Sequence, residues 1–249
     1  MKPGTVAIVG AGPGDPELLT LKGRRLLEEA DVVVYDRLVG PEIVALAAHA
    51  ERIDAGKQPG VPGMKQDEID VLLVELARKG KRVVRLKGGD PMVFGRTSSE
   101  LEALVEAGIH FEIVPGVSSA IAAPAYAGIP VTDRRYASAV ALVTATRMED
   151  MPTALDWSAL ARIPTVVVLM GAARIESVTQ ELLRNGVPAS RPAAAIEWGT
   201  TSRQRVVRST LGTLAADVRT AGLGAPTTIV VGEVAALSDR YAWFGPTTD

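Results

Sequence analysis

Cysteine is absent from the sequence. Disulfides and thiolate-held metals are therefore excluded, and stability has to come from a packed core. Histidine is nearly absent too: the two present, His49 and His110, cannot build a histidine metal cluster. No metal is expected, and imidazole acid–base chemistry has two candidates at most. His49 follows an Ala/Leu run and His110 precedes the apolar run FEIV, so both read as structural. Aromatic residues make up only 4% of the chain, which leaves Val, Leu, Ile and Ala to form the core. No apolar stretch approaches the ~18 residues of a membrane span. The opening MKPGTVAIVGAG has too short an apolar run for a signal peptide and goes straight into a glycine turn, so the expected location is the cytoplasm. Nor is there an excess of charge: a net charge of −2 gives no global attraction to nucleic acid, and an anionic ligand has to be drawn by local basic groups.

What is present is alternation. With 249 residues, 47% of them hydrophobic, the chain suffices for one large or two modest α/β domains. Apolar runs of strand length lie at 6–9, 31–35, 82–86, 111–114, 140–145, 165–170, 193–198 and 227–234. They are continuous rather than alternating, as strands covered on both faces are. Helical periodicity falls between them. Pro16 to Glu29 aligns Leu18, Leu19, Leu26 and Leu27, with Leu21 at the edge. Asp67 to Arg78 aligns Ile69, Leu72, Leu73 and Leu76, and the stretches Ser98 to Ala107 and Arg174 to Arg184 read similarly. The segment GIPVTDRRYAS at 128–138 has no period and separates four strand signals from four. The pattern predicts two α/β domains, 1–131 and 132–249, with a cleft between them. The cluster RQRVVR at 203–208 reads as an exposed strand face.

The first strand leads into VGAGPGDP. Gly10, Gly12 and Gly14 permit tight or left-handed backbone, and Pro13 stiffens the loop. Such a loop brings backbone N–H groups close to a ligand at a helix N-terminus. A dinucleotide fingerprint needs a third glycine where Asp15 stands, and a carboxylate there opposes a pyrophosphate. Asp36, at the end of the second apolar run, sits where a ribose-binding acid would fall. A dinucleotide site and a structural turn with no ligand both remain open at this level.

Six segments then appear in register: VGAGPGDPELLTLKG with ADVVVYDRLV, RLKGGDPMVFGR at 85–96, VPGVSSAIAAPAYAGIPVT at 114–132, VVLMG at 167–171, EWGTTSRQ at 197–204 and APTTIVVGEV at 225–234. Together they resemble the uroporphyrinogen-III C-methyltransferases, over nearly the whole chain. The resemblance implies a two-domain α/β fold, commonly a homodimer, with S-adenosyl-L-methionine held in the interdomain cleft and S-adenosyl-L-homocysteine left as product. It also implies two methyl transfers to uroporphyrinogen III, giving precorrin-2 for cobalamin or sirohaem synthesis. The cofactor positions it suggests are Pro13, Gly88, Gly89, Asp90, Val93, Ser118, Ser119, Met170, Gly199 and Thr227. It assigns acid–base roles to Asp36 and to Lys57, the latter in DAGKQPG.

These assignments make physical sense beside bland alternatives. Gly88 and Gly89 expose main chain to a ligand, and Asp90 can accept from an ammonium or a ribose hydroxyl, or can merely cap a turn before Pro91. Met170 ends a buried run and reads alone as core packing. Ser118 and Ser119 read alone as caps of the segment after them. Asp36, beside the buried run VVVY, is the candidate base; its bland reading is a cap or an ion pair with Arg37. Lys57 reads alone as a solvated loop lysine. A polycarboxylated substrate calls for arginine, which binds carboxylates bidentately. Arg37, Arg96 and Arg134 are the candidates, with Arg135 beside them.

Three departures from the family pattern fall on the side expected to meet substrate. GRTSSE, with Thr97, Ser98 and Ser99, stands for the family's GRGGEE. Asp133 stands where an imidazole is usual, and would repel a substrate carboxylate. Thr144, Ala145 and Thr146, followed by Arg147, stand for a Thr-Gly-His. They leave open a related methyltransferase acting on another tetrapyrrole or a different small molecule, and a non-catalytic cofactor-binding module. The chain begins at the methyltransferase signature without the dehydrogenase/chelatase segment of some sirohaem synthases, so a single activity is expected.

Overall fold

The computed structural model describes residues 1–56, 63–145 and 155–245. They divide into two compact units, Met1–Ser118 and Ser119–Asp249.

The first unit is built from β1 (Thr5–Gly10), α1 (Leu21–Glu29), β2 (Val32–Tyr35), α2 (Pro41–Ala45), β3 (Glu51–Asp54), α3 (Gln66–Arg78), β4 (Arg82–Lys87), α4 (Thr97–Glu106) and β5 (Phe111–Val114). The five strands form one parallel sheet in the order β3-β2-β4-β1-β5. Successive side chains of a strand point to opposite faces, and here both faces are buried. Ala7, Val9, Val33, Val84 and Leu86 pack with Leu26 and Leu27 of α1 and Ile43 of α2. Val6, Ile8, Val32, Val34 and Val83 pack on the other face with Ile69 and Leu73 of α3 and Leu104 of α4. Each such side chain contributes roughly 1.5–3 kcal/mol by leaving water, which is why these runs are continuously apolar.

The chain leaves β1 toward β2 on one side and leaves β4 toward β5 on the other. The neighbouring strands β1 and β4 therefore flank the point where the winding reverses. In open α/β sheets that point, at the carboxyl ends of the strands, is where ligands bind.

The second unit holds α5 (Ser119–Tyr126), β6 (Val140–Thr144), α6 (Trp157–Leu160), β7 (Thr165–Leu169), α7 (Ile175–Arg184), β8 (Pro192–Glu197), β9 (Arg205–Thr210), α8 (Leu214–Thr220), β10 (Thr227–Val231) and α9 (Ser238–Tyr241). Its sheet is mixed, in the order β6-β7-β10-β8-β9, with only β6 and β7 parallel. One face packs on α7 and α8 through Val166, Val168, Ala195, Ile229, Ile175, Leu182 and Leu214. Against β7 and β10 lies α5, and this packing draws the unit boundary back to Ser118/Ser119 from the position 131/132 expected from composition. None of the buried core side chains among the described residues is aromatic, as the scarcity of rings requires.

Two local expectations are corrected. The single helix over Pro16 to Glu29 is two pieces. Asp15 Oδ1 accepts from Glu17 N–H at 2.8 Å to start a short 3₁₀ turn, and Thr20 Oγ1 accepts from Gly23 N–H at 3.0 Å to start α1 afresh. Two N-caps within one periodic stretch interrupt it, and Leu21 is left exposed. The run at 227–234 stops as a strand at Val231, because Gly232 (φ 152°) turns the chain into a further 3₁₀ segment, Glu233–Leu237. The edge strands β3 and β9 supply the fifth strand of each sheet, and within the expected run 203–208 the strand begins at Arg205, has no buried residue and exposes Arg205 and Arg208 on opposite faces rather than along one.

Candidate active site

In the first unit every strand of the parallel sheet ends at the same edge. The glycine turn after β1, Asp36 after β2, the Gly88–Asp90 turn after β4 and the Gly116–Ser118 turn after β5 therefore share that edge. The first and third turns are stitched together: Gly12 N–H donates to Gly89 O at 3.1 Å and Gly89 N–H to Gly12 O at 2.7 Å. Both residues are left-handed, with φ of 79° and 67°, a conformation that other residues adopt at a cost. Gly88 is exposed, with space at its missing side chain, so its main chain is open to a ligand. Pro13 lies half-buried in the loop between Gly12 and Gly14.

Asp90 takes the turn-capping role that the sequence allowed. Its Oδ1 accepts from Met92 N–H at 2.8 Å and its Oδ2 from Gly116 N–H at 3.0 Å, which ties the β4 turn to the β5 turn. Carboxylate oxygens have lone pairs beyond these two, so accepting from a ligand is not blocked. Val93 closes the same turn, its N–H donating to Asp90 O at 3.2 Å. Arg96 is exposed and left-handed (φ 55°), and it leads into α4.

Asp36 is half-buried, and the structure corrects its partner. The carboxylate does not pair with the adjacent Arg37 but with Arg85 of β4, at 2.5 Å from Nη2 to Oδ1. Arg37 is exposed, and its backbone packs against Gly56, where any side chain would collide with it. Lys57 lies outside the described residues, as does Arg147. Both histidines precede strands, His49 before β3 and His110 before β5, so they lie at the opposite edge of the sheet. Imidazole chemistry is thereby removed from the edge that carries Asp36.

Behind Asp36 lies a cluster that the sequence reading missed. Arg85 Nε donates to Glu100 Oε1 at 2.8 Å, and Lys87 Nζ reaches the two oxygens of Glu100 at 2.8 and 2.9 Å. Burial pushes the Lys87 ammonium below its ordinary pKa, with the neighbouring Arg85 charge acting the same way. Burial also works against the Arg85 guanidinium, but Asp36 and Glu100 outweigh it and raise its pKa. The signal for this cluster was present in RVVRLK. Positions 85 and 87 share one face of a strand that is otherwise apolar after its first residue, Arg82, an unusual pattern for a strand covered on both sides.

In the second unit, β7 and β8 both run antiparallel to β10, and Thr227 pairs with Glu197. The ends of β7 and β8 and the start of β10 therefore meet at one edge, which brings Met170, Gly199 and Thr227 together. Met170 is not core: it is 50% exposed and left-handed, φ 56°. The chain at Trp198 and Thr200 is left-handed as well (φ 49° and 72°). Three non-glycine residues are thus held in that sparsely populated region at one edge. Gly199 packs against Ala123 of α5, leaving no room for a β-carbon. Thr227 is buried, and its hydroxyl donates to Gly224 O. Ser118 closes the first unit and Ser119 opens α5.

The segment 128–138 changes one expectation about charge. Asp133 is neutralised locally, because Arg135 N–H and Nε donate to its Oδ1 at 2.8 and 3.1 Å and Nη2 to its Oδ2 at 3.2 Å. These bonds hold its carboxyl below the ordinary range. The repulsion expected from Asp133 is offset by its neighbour, and Arg134 stays exposed. Among the described residues no cluster of His, Asp and Glu could hold a metal ion, and no helix is long and apolar enough to cross a membrane.

Glycine-lined turns at a winding reversal, with a strained apolar edge in the second unit, define a ligand-binding α/β protein of two units. Comparison with known proteins makes the class specific. Residues 5–215 match the family described as tetrapyrrole (corrin/porphyrin) methylases. The siroheme synthase of Methylococcus capsulatus is 51% identical over 243 residues, 97% of this chain and 51% of that protein. That of Chromobacterium violaceum is 50% identical, covering 97% of this chain and 52% of its own. The chain thus spans about half the length of these relatives. Among solved structures, uroporphyrin-III C-methyl transferase from Thermus thermophilus, complexed with S-adenyl homocysteine, aligns with a TM-score of 0.81 and 42% identity, covering 94% of this chain and 99% of that one. A cobalt precorrin-4 methyltransferase aligns with a TM-score of 0.84 and 31% identity, over 93% of this chain and 96% of that one. The chain belongs to the tetrapyrrole methylase family.

Proposed function

We propose that this protein transfers methyl groups from S-adenosyl-L-methionine to carbon atoms of uroporphyrinogen III, twice, giving precorrin-2 for sirohaem or cobalamin synthesis. The observation that carries the reading is Asp36: a half-exposed carboxylate at the strand-end edge of the first unit, among glycine turns, in a chain 42% identical to a uroporphyrin-III methyltransferase over almost its whole length. The 31% identity to the cobalt precorrin-4 enzyme, at a similar TM-score, keeps a later tetrapyrrole as the second reading.

The residues present fit the cofactor. Exposed main chain at Gly88, with Gly89, Pro13 and Val93, suits the polar amino-acid end, and Asp90 offers lone pairs to its ammonium. The half-exposed Met170, with Gly199 and Thr227, suits the nucleoside end, and Ser118 and Ser119 add hydroxyls. When bound, the cofactor supplies a methyl group on a sulfonium, already activated for displacement. The chain's task is then alignment, which supplies roughly 7–11 kcal/mol of barrier reduction in the best cases.

The bound cofactor would give its methyl carbon to a pyrrole carbon and keep the carbon–sulfur electron pair as a neutral thioether. The macrocycle gains one positive charge and discharges it by losing a proton. Asp36 Oδ2 takes that proton while Oδ1 stays on Arg85, a contribution of about 10²–10⁴-fold. Lys57 supplies a proton or holds a substrate carboxylate. Arg37, Arg96 and Arg134 hold the substrate carboxylates, Arg134 beside the self-neutralised Asp133–Arg135 pair. The protein acts in the cytoplasm as a homodimer.

The test is turnover of uroporphyrinogen III with S-adenosyl-L-methionine, read by mass. A doubly methylated product supports the reading. No turnover there, with turnover of a later precorrin, moves the protein to the second reading. Binding of S-adenosyl-L-homocysteine without turnover of any tetrapyrrole leaves only a cofactor-binding module.

A further inference from the structure

The face of β4 that packs toward α3 and α4 carries Val83, then Arg85, then Lys87. Arg85 is 2% exposed, and Glu100 of α4, which meets both cations, is fully buried. Ion groups removed from water in this way are no more stabilising than well-packed apolar residues of the same size. A parallel strand in this position is ordinarily Val, Leu and Ile throughout. Stability alone does not account for an arginine and a lysine here.

The direction of the contacts does account for them. Of the four ionic groups Asp36, Arg85, Glu100 and Lys87, only Asp36 reaches the surface, with 36% of its side chain exposed. Each inner group fixes the next one outward. Lys87 holds both oxygens of Glu100, at 2.8 and 2.9 Å. Glu100 Oε1 holds Arg85 Nε at 2.8 Å, and Arg85 Nη2 holds Asp36 Oδ1 at 2.5 Å. Arg85 Nη1 is turned toward Val34 O and Leu86 O, at 3.5 and 3.4 Å. The guanidinium is planar and its fork is rigid, so fixing Nε fixes the direction of Nη2. α4 is anchored to α3 in turn, since Ser99 Oγ donates to the buried Asp70 and Gln66 Nε2 donates to Glu100 Oε1 at 3.5 Å.

We propose that Arg85, held by the buried Glu100–Lys87 pair, is a positioning residue that fixes the Asp36 carboxylate with one oxygen bound and the other free to accept a proton. The inference rests on the assignment of Asp36 as the base. It gives a function to the one-sided pair of cations on β4, which lies in the core.

Arg85→Met is the discriminating variant. It leaves Glu100 paired with Lys87 and Asp36 open to solvent, so no buried charge loses its last partner. The first measurement is a double-mutant cycle on kcat with Asp36→Asn. The expected result is a roughly 10–100-fold loss in kcat for Arg85→Met alone, the cost of a misplaced catalytic group. KM for S-adenosyl-L-methionine stays unchanged, and there is no further loss when Arg85→Met is added to Asp36→Asn. Additive losses mean that Arg85 acts on stability or on something other than Asp36, and overturn the proposal.

The second measurement needs no activity. Crystal structures of the wild-type protein and Arg85→Met should show the Asp36 carboxylate in one rotamer and in several, respectively. An unmoved, single Asp36 rotamer in the variant overturns the proposal. If Arg85→Met does not fold, Arg85→Lys, which keeps the charge but lacks the fork, is measured in both arms with the same expected outcomes. A wild-type protein that turns over no tetrapyrrole overturns the methyltransferase reading, and the crystallographic arm still decides the positioning claim.

Discussion

Gly10 and Gly116 meet backbone to backbone: a β-carbon on Gly10 would lie 2.6 Å from both N and Cα of Gly116 and 2.7 Å from the carbonyl oxygen of Gly89. The ends of β1, β4 and β5 are drawn together at that crossing, and the neighbours are main chain, which cannot rotate away. Gly10→Ala is therefore expected to destabilise the first unit by about 1–3 kcal/mol or more, the usual cost of overpacking. Urea denaturation should show a lower midpoint with an unchanged slope. Alanine at the exposed Gly88 is expected to leave the midpoint unchanged and weaken S-adenosyl-L-homocysteine binding in calorimetry.

Asp36→Asn keeps the size of the side chain and removes its ability to take a proton. Expected is a kcat reduced by about 10²–10⁴-fold with cofactor binding intact. Assays with uroporphyrinogen III and parallel calorimetry check this. An unchanged kcat places the base elsewhere.

Glu100 faces two buried cations. Glu100→Leu leaves Arg85 with Asp36 alone and Lys87 without its carboxylate, and breaking a buried ionic cluster from one side costs about 3–5 kcal/mol. Thermal and urea unfolding should both show the loss. A variant as stable as the wild type contradicts the burial described here.

Met170 holds a left-handed backbone that costs a residue with a β-carbon roughly 1–2 kcal/mol. Met170→Gly should relieve part of this, offset by the greater freedom glycine gives the unfolded chain. Unfolding should therefore shift to equal or slightly higher temperature, while S-adenosyl-L-homocysteine binds more weakly because an apolar surface is gone. Tighter binding in the variant removes Met170 from the cofactor site.

Asp31 and Arg82 join the starts of β2 and β4, and the Asp31 carboxyl is held down to about 2, first by the Arg82 side-chain hydrogen bonds and then by its backbone N–H. A folded-state pKa below the unfolded value means the contribution is present above about pH 4. It is lost as pH falls toward 2. Asp31→Asn should lower stability at neutral pH, and the difference from wild type should vanish across that window in denaturant titrations.

How much of this was legible in the chain differs by element. The continuous runs at 6–9 and 165–170 read as strands because burial on both faces demands unbroken apolar sequence. β3, with ERID, and β9, with no buried residue, lie at sheet edges and carry no such signature. The break in the first helix was hidden because a leucine period runs across both pieces, while capping by Asp15 and Thr20 decides where they divide.

For the site, the sequence by itself determined the loops. Glycine, proline and aspartate at strand ends fix local backbone geometry, which depends on neighbours in the chain, and their order carries the family. Tertiary structure alone decided which charges meet. Asp36 pairs with Arg85, forty-nine residues away, rather than with Arg37 beside it. Met170 lies at a strained, half-exposed edge rather than in the core, and Asp133 is answered by Arg135. An ion pair depends on distance in space and on burial, and both are set by which strands become neighbours, a property that no local stretch of sequence contains.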